Sequence, residues 1–416
     1  MLPTPTDNGA RLAAILPTAL TSQASGLGKD ALLTLNATLQ PLGETSPNES
    51  ALASSGVLER AVPVRSVIVV VVDGLGHANL RAAAGHARTL SALATRRIET
   101  VIPSTTAAAL TTITTGRLPG EHGLIGYKIR HPELGLITPL KEWQGIERPR
   151  EWQRAEPLFA QAAALGARPV AIGRPAHAVG GLTEAILRGA EYHPGQTIAE
   201  RFAVASRLVR GSDPLFAYLY VDELDRVAHQ QGWQSPLWVK RLEQLDEALT
   251  DLLRALPADV GVVVTADHGM IDVPPEHRLV LDEAIAQFDE GMEIGGEPRM
   301  RSLYLSDRTR AAEVADDISG VLGKRAWVGT RDEAIAANWF GPIEHEVAER
   351  LGDVIVAARA QFAFQLSTDE DSARAMVGQH GGVSDEERGV PLALGGAFEG
   401  SSFAAAVSQV ATLVGR

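Results

Sequence analysis

The sequence predicts an α/β fold: a doubly wound, mostly parallel sheet flanked by helices, with a small inserted α/β cap. Three observations carry that prediction. The run VIVVVV, Val67 to Val72, is continuously β-branched, as are strands buried on both faces of a parallel sheet. Similar runs recur with helical patterns between them, the alternation that builds parallel strands joined by crossover helices. From about residue 275 to 375 the pattern changes to short strands among acidic helical stretches, which reads as an insertion.

Taken in order, residues 1 to 60 are rich in Ala, Leu, Ser, Thr and Pro and read as a helical or partly irregular wrap. Within them LAAILPTAL has only Arg11 before it and Pro17 inside it, so a small amphipathic segment is expected rather than a secretion signal. The strand Val67–Val72 follows and ends in DGLG. Further strands are PVAIG (169 to 173), PLFAYLYV (214 to 221) and VGVVVTA (260 to 266). In PLWVKRLEQLDEALTDLLRALP, the residues Leu242, Leu245, Leu249, Leu252, Leu253 and Leu256 fall on one helical face. RSLYLSD, RAWVGT and DVIVAA are the strands of the insertion, and the main domain resumes near MVGQHGG. The expected division is a wrap at 1–60, a catalytic α/β domain at 61–275 and 375–416, and a cap at 276–374.

A chain of 416 residues, 45% of them hydrophobic, is long enough for a substantial core. Its net charge of −13, from 51 acidic and 38 basic residues, argues against a nucleic-acid-binding surface or a broad grip on anionic membrane. Any phosphate-bearing substrate therefore needs local positive charge, and a metal is the obvious supplier. With no cysteine, disulfides and thiolate metal sites are excluded, and a cytoplasmic location is expected. The longest apolar run, SVIVVVV, is far too short to span a membrane.

Ligands of sheets like this collect outside the carboxyl ends of the strands. Three strand ends carry acids or an acid–histidine pair: Asp73, then Glu223 and Asp225, then Asp267 with His268. Asp225 and His229 stand four apart, which puts both on one side of a helix. His380 lies among glycines that let backbone approach closely. Alone, Asp73 could bond to loop amides, and an isolated Asp–x3–His pair is more often a solvated helix face. The combination of carboxylates and imidazoles is what a divalent zinc or manganese site requires.

The uncharged stretch VIPSTTAAALTTITTG reads as a helix of about ten residues, entered through Pro103, Ser104 and Thr105 and stopped by Gly116. A hydroxyl in its first turn would sit where unpaired amides and the helix dipole favour an anion. Thr111, Thr112, Thr114 and Thr115 lie too far along and are packing residues. Thr105 and Thr106 remain, with Ser104 as an outsider.

From VVVVDGLG through PSTTAAALTTITTGRLPGEHG, ELDRVAHQQG and VVTADHGM to GQHGG, the chain resembles the alkaline phosphatase superfamily. Within it the resemblance is to the nucleotide pyrophosphatase/phosphodiesterase (type I phosphodiesterase) family, over residues 67 to about 395. The resemblance implies two zinc ions about 4 Å apart, suited to in-line phosphoryl displacement. It makes Thr106, nine residues before Thr115 of the Thr-Gly pair, the nucleophile, and Thr105 its cap or neighbour. Asp73, Asp267 and His268, with Thr106, resemble the ligands of one metal; Asp225, His229 and His380 resemble those of the other. Asp222 lacks the four-residue step to His229 and ranks as a structural neighbour.

The implied activity is hydrolysis of phosphodiester or pyrophosphate bonds in a small phosphate ester through a phosphothreonine intermediate. The alternatives are a phosphomonoesterase or phosphonate hydrolase of the same superfamily, or a catalytically silent binding protein, whose mark would be a missing ligand. Sulfatases resemble Cys- or Ser-derived nucleophiles, and the mutase relatives would need a serine. Nucleotide-cleaving members carry an Asn that binds a phosphoryl oxygen; here that position is Tyr127, with Lys128 and Arg130 as substitutes. His122 is expected to be a turn residue. Residues 128 to 157, with Trp143 and Trp152, read either as a substrate lid or as a surface excursion pinned by its tryptophans. Arg299 and Arg301 are candidates to meet an anionic leaving group.

Overall fold

The computed structural model describes residues 1–40, 56–93, 96–289 and 291–415, so 41–55 of the expected wrap lie outside the described residues. All seven residues of β1 (Ser66–Val72) are buried, as an unbroken β-branched run requires when helices cover both faces. In chain order the other strands of the main sheet begin with β2 (Arg96–Glu99), β3 (Arg168–Gly173) and β4 (Glu191–Pro194). They continue with β5 (Leu215–Val221) and β6 (Val260–Thr265). The second sheet holds β7 (Glu293–Glu297), β8 (Met300–Tyr304), β9 (Ala326–Thr330) and β10 (Val354–Ala358). The chain then returns to the main sheet as β11 (Gly389–Gly396).

The main sheet has the order β2-β11-β6-β1-β5-β3-β4. Its strands are parallel except β11, which runs antiparallel to both β6 and β2. This is the doubly wound, mostly parallel α/β architecture that the alternating sequence pattern predicts. The register pairs Val72 with Val221 and Val71 with Thr265. Asp73, the segment starting at Asp222, and Asp267 therefore leave the sheet at one level of its carboxyl edge. Of the strands in these two sheets, four escaped the sequence reading: β2, β4, β7 and β11. In β11, Pro391 and three glycines mask the strand signal. The second sheet, ordered β7-β8-β10-β9 and antiparallel throughout, has its own apolar core of Leu303, Val314, Ile318, Val354, Val356 and Phe364 among others.

Two helices position the chemistry. The first, α1 (Thr106–Thr115), ends on Gly116 in the left-handed conformation, as the Thr-Gly punctuation predicts. The second, α2 (Glu223–Gln231), follows β5 directly and carries Asp225 and His229. The long leucine-faced helix α3 (Pro236–Ala255) buries Leu242, Leu245, Leu249 and Leu252 behind it.

The segment around LAAILPTAL corrects an expectation. It is not amphipathic: every residue from Leu12 to Ala24 is buried. Its hydroxyls make this possible by bonding back one turn, Thr18 to the Ala14 carbonyl at 2.7 Å and Thr21 to that of Pro17 at 2.8 Å. A polar residue whose donor is satisfied inside its own helix costs little to bury. Among the described residues, no helix is long and apolar enough to cross a membrane.

Candidate metal centre

Six side chains from three strand ends and one glycine-rich loop converge. His268 Nε2 stands 3.2 Å from Asp73 Oδ1 and 3.5 Å from Asp267 Oδ2. Asp225 Oδ1 stands 3.3 Å from His229 Nε2 and 3.9 Å from His380 Nε2. The His268 and His380 rings stack with centroids 3.6 Å apart. Two donor sets have all their atoms within 4.8 Å of one another, Asp225–His229–His380 and Asp73–Asp225–His268, so Asp225 lies within reach of both. Asp267 flanks His268 from the other side. The close approach of Asp225 to Asp73 depends on Gly74, at φ 72°, where a Cβ would meet the Asp225 Cα and Cβ at 3.1 Å.

Each imidazole is turned the same way. The Nδ1 atoms of His229, His268 and His380 face the carbonyls of Gly378 at 2.8 Å, Gly269 at 3.1 Å and Ser104 at 2.9 Å. Donation of Nδ1–H to a carbonyl fixes the tautomer and leaves Nε2 as a lone-pair donor, the usual support of a metal-bound histidine. Asp267 spends Oδ1 on the amides of Gly74 at 3.2 Å and His268 at 2.9 Å.

The remaining oxygens test whether a cation fits. Asp73 Oδ1, Asp225 Oδ1 and Asp267 Oδ2 are buried and make no hydrogen bond among the described residues. Three orphaned carboxylate oxygens around three Nε2 atoms are unfavourable unless a positive charge, a proton on His268 or a cation in its place, joins them. The electrostatics agree. Burial, then the neighbouring Asp73 charge, pushes the carboxyls of Asp225 and Asp267 well above their usual range. Burial alone would lower His268, yet Asp267, Asp73 and Asp225 push it up to about 10. Asp73 is held down, against its burial, by His268 and by the Tyr220 hydroxyl. The donor set is one that suits a divalent metal.

Thr106 is the first residue of α1, and its Oγ1 lies 3.1 Å from His268 Nε2. Thr105 occupies the N-cap position but makes no side-chain bond to the first-turn amides, and Ser104 Oγ instead donates to the Gly382 carbonyl at 2.8 Å. The hydroxyls that would ordinarily cap α1 are thus directed elsewhere. Tyr127 is half-buried and close enough to Glu297 for that charge, after burial, to raise its hydroxyl above the usual range.

Other sequence candidates fall outside the cluster. Asp222 is ringed by Arg174 at 2.9 Å, His177 and Arg226 at 3.7 Å and Arg201 at 3.8 Å, which is a structural role. Arg299 and Arg301 do not meet a leaving group. Both are buried, Arg299 on Glu387 and two backbone carbonyls, Arg301 on Asp369 and the Phe364 carbonyl, because a buried guanidinium must have its donors matched. In the 128–157 segment Trp152 is buried under the Arg350 guanidinium, 4.3 Å from its ring, and Trp143 packs on Gly181, so these tryptophans pin the excursion.

His122 is fully buried, accepts a bond from the Leu124 amide at 3.1 Å and lies 3.0 Å from Thr112 Oγ1. Burial pulls it down to about 3. Its folded pKa lies below that of the unfolded chain, near 6.5. Stability from the neutral ring is therefore complete above about pH 6.5 and is lost as pH falls towards 3, by up to about 1.4 kcal/mol per pH unit. Denaturant midpoints measured from pH 7 down to 5 should fall less steeply in His122→Gln than in the wild type; equal slopes would count against this assignment.

Two residues at the centre were missed by sequence reasoning. Tyr220 donates its hydroxyl to Asp73 Oδ2; the only sequence signal is its place in LYV, just before the acidic strand end. Glu297, at the end of β7, brings Oε2 to 3.9 Å from His380 Nδ1 and is pushed up to about 8 by burial. Nothing local marks it, since the second sheet delivers it from a distance.

A doubly wound α/β sheet with two interleaved Asp/His donor sets and a hydroxyl at its carboxyl edge defines a divalent-metal protein of the alkaline phosphatase superfamily. The chain belongs to the type I phosphodiesterase / nucleotide pyrophosphatase family, whose profile matches residues 67–383. It is 26% identical over 212 residues to venom phosphodiesterase 2 of Crotalus adamanteus, covering 49% of this chain and 26% of that protein. To human ectonucleotide pyrophosphatase/phosphodiesterase family member 1 it is 26% identical over 186 residues, 42% of this chain and 20% of that protein. The chain thus spans about a quarter or less of the length of these curated relatives. Among solved structures, murine ectonucleotide pyrophosphatase/phosphodiesterase 5 superposes with a TM-score of 0.61 at 19% identity, covering 79% of this chain and 87% of that one. Phosphonoacetate hydrolase from Sinorhizobium meliloti 1021, in complex with phosphonoformate, does so with 0.63 at 20% identity, covering 84% and 97%. At these identities the structural likenesses establish the fold.

Proposed function

We propose that this chain hydrolyses phosphodiester or pyrophosphate bonds through a phosphothreonine formed on Thr106, with two divalent cations, zinc ahead of manganese. The observation that carries this is the Thr106 hydroxyl, at the start of a helix and 3.1 Å from His268 Nε2 beside three orphaned carboxylate oxygens. Asp73, Asp267, His268 and Thr106 would hold one cation; Asp225, His229 and His380 would hold the other. When bound, the cations supply the positive charge that acidifies the threonine hydroxyl and offsets charge on the leaving oxygen.

Thr106 Oγ1 gives up its proton to solvent and attacks phosphorus, its new bond forming as the bond to the leaving oxygen breaks; the phosphoryl group is then held by the enzyme, and the leaving oxygen departs and takes up a proton from solvent. Water then cleaves the phosphothreonine and a proton returns to Thr106 Oγ1. The first-turn amides of α1, which Thr105 does not cap, face an anion at the helix's positive end and orient the phosphoryl oxygens. Tyr127 is the proposed further donor to a phosphoryl oxygen. The second sheet with its separate apolar core supports 276–374 as a cap on a catalytic domain of 61–275 and 375–416. A solved structure described as inactive, murine ectonucleotide pyrophosphatase/phosphodiesterase 5 carrying a threonine-to-alanine change and holding AMP, is consistent with a threonine nucleophile.

A second reading, cleavage of a phosphonate or phosphomonoester, draws support from the mutual coverage with phosphonoacetate hydrolase and from Tyr127, where nucleotide-cleaving members carry Asn. Metal analysis of the purified protein, with a panel of aryl phosphodiesters, monoesters, phosphonates, sulfates and nucleotides, decides between them. The expected result is bound zinc or manganese and a preference for diesters or nucleotides. A strong preference for monoesters or phosphonates would favour the second reading, and failure to take up any divalent cation after reconstitution would overturn both.

A further inference from the structure

Most of the proposed ligands are held in place by backbone. His229, His268 and His380 face carbonyl oxygens, and Asp267 accepts two amide hydrogens. Asp73 is different, because its Oδ2 is held by a side chain, the hydroxyl of Tyr220. We propose that Tyr220 is a positioning residue that restricts Asp73 to one donor oxygen and thereby biases the centre towards a four-coordinate cation. The inference rests on the metal assignment above and concerns which metal that site prefers.

The contact follows from sheet register. Tyr220 on β5 pairs with Val71 on β1, two residues short of Asp73. Two strand residues advance about 6.6 Å, a distance that a phenol ring and its oxygen span. The ring cannot easily turn away: it stacks on Tyr218, centroids 6.4 Å apart and 12° between planes, and meets the His177 ring at 5.8 Å. With Oδ2 engaged, Oδ1 is left facing His268 Nε2 and makes no hydrogen bond among the described residues.

A carboxylate free at both oxygens can chelate a cation or bridge two of them, which raises the coordination number. One whose second oxygen accepts a hydrogen bond from a phenol is held in one orientation and has less charge to offer there, so it favours binding through the other oxygen. Tetrahedral zinc is satisfied by few ligands, whereas manganese favours six oxygen-rich positions. Tyr220 therefore discriminates by limiting denticity.

Tyr220→Phe removes only the hydroxyl. Tyr218→Phe is the control, since the buried Tyr218 hydroxyl lies on the same strand and the same face as half-buried Tyr220 but has no hydrogen-bond partner among the described residues. Metal-free preparations of the wild type and both variants are titrated with zinc and with manganese against a chelator of known affinity. Each is also loaded with cobalt(II), whose visible absorption is strong in four-coordinate sites and weak in five- or six-coordinate ones. In Tyr220→Phe the zinc affinity should fall roughly tenfold or more, the zinc-over-manganese preference should fall with it, and the cobalt absorption should weaken. Tyr218→Phe should follow the wild type.

If Tyr220→Phe lost affinity for both metals by one common factor and kept the wild-type cobalt spectrum, the hydroxyl would be mere support and the proposal would be wrong. It would be equally wrong if Tyr218→Phe reproduced the change. A wild type that took up no divalent cation would instead overturn the metal assignment itself. A loaded wild type that cleaved no phosphate ester would count against the proposed activity alone, since none of these readouts uses turnover.

Discussion

Thr106→Ala is expected to lower turnover of an aryl phosphodiester by at least roughly a thousandfold while both cations stay bound. Loss of a catalytic nucleophile typically costs that much or more, because what remains is substrate binding and electrostatic stabilisation. The fold should be unaffected: Thr106 begins α1 and its hydroxyl does not cap the helix, so alanine, a strong helix former, replaces it at little cost. Three measurements on one preparation separate the possibilities, namely steady-state rate, metal content, and the mass of acid-quenched enzyme. The wild type should show a phosphoryl adduct that the variant lacks. Full turnover in a variant that still binds two metals would remove Thr106 from the mechanism.

The second large effect is on stability. Arg299 and Glu387 are completely buried and paired twice, Nε to Oε1 at 2.9 Å and Nη2 to Oε2 at 2.7 Å. Glu387 also accepts the Gly382 amide at 2.9 Å, two residues from His380, while Arg299 sits in the turn between β7 and β8. The pair therefore ties the second sheet to the loop that carries a proposed ligand. Arg299→Ala would leave a buried carboxylate without its counter-charge, at a cost of about 3–5 kcal/mol. Burial alone would raise the Glu387 pKa, but Arg299 holds it below the usual carboxylate value. That contribution is present above about pH 4.5 and is lost as pH falls through the lower folded value. Urea unfolding at pH 7 should show the loss in Arg299→Ala. A change under about 1 kcal/mol would mean that water reaches the pair and that the coupling is weak.

Much of the centre was readable because its donors sit where local sequence signals are strong. Asp73 and Asp267 end hydrophobic runs, and Asp225 and His229 share a helix whose spacing puts them on one side. Gly116 after a threonine-rich run marked the end of α1 and so put Thr105 and Thr106 near its start, while the choice of Thr106 came from the family resemblance. Elements whose local signal is diluted were missed. Pro391 and its glycines hid β11. The segment at LAAILPTAL reads as amphipathic although it is buried throughout, since the bonds of Thr18 and Thr21 to carbonyls one turn back cannot be read from composition.

The sequence by itself determined which residue types stand at each strand end and narrowed the hydroxyl at the start of α1 to Ser104, Thr105 and Thr106, because both depend on neighbours a few positions away; the structure makes Thr106 the first residue of the helix. Only the tertiary structure decided what those residues touch. It set Tyr220 against Asp73, 147 positions apart, and Arg299 against Glu387, 88 apart, and it turned the guanidiniums of Arg299 and Arg301 inward instead of towards a substrate. Strand register and the docking of the second sheet fix those contacts. Both come from burying apolar surface across the whole chain, which no short stretch of sequence records.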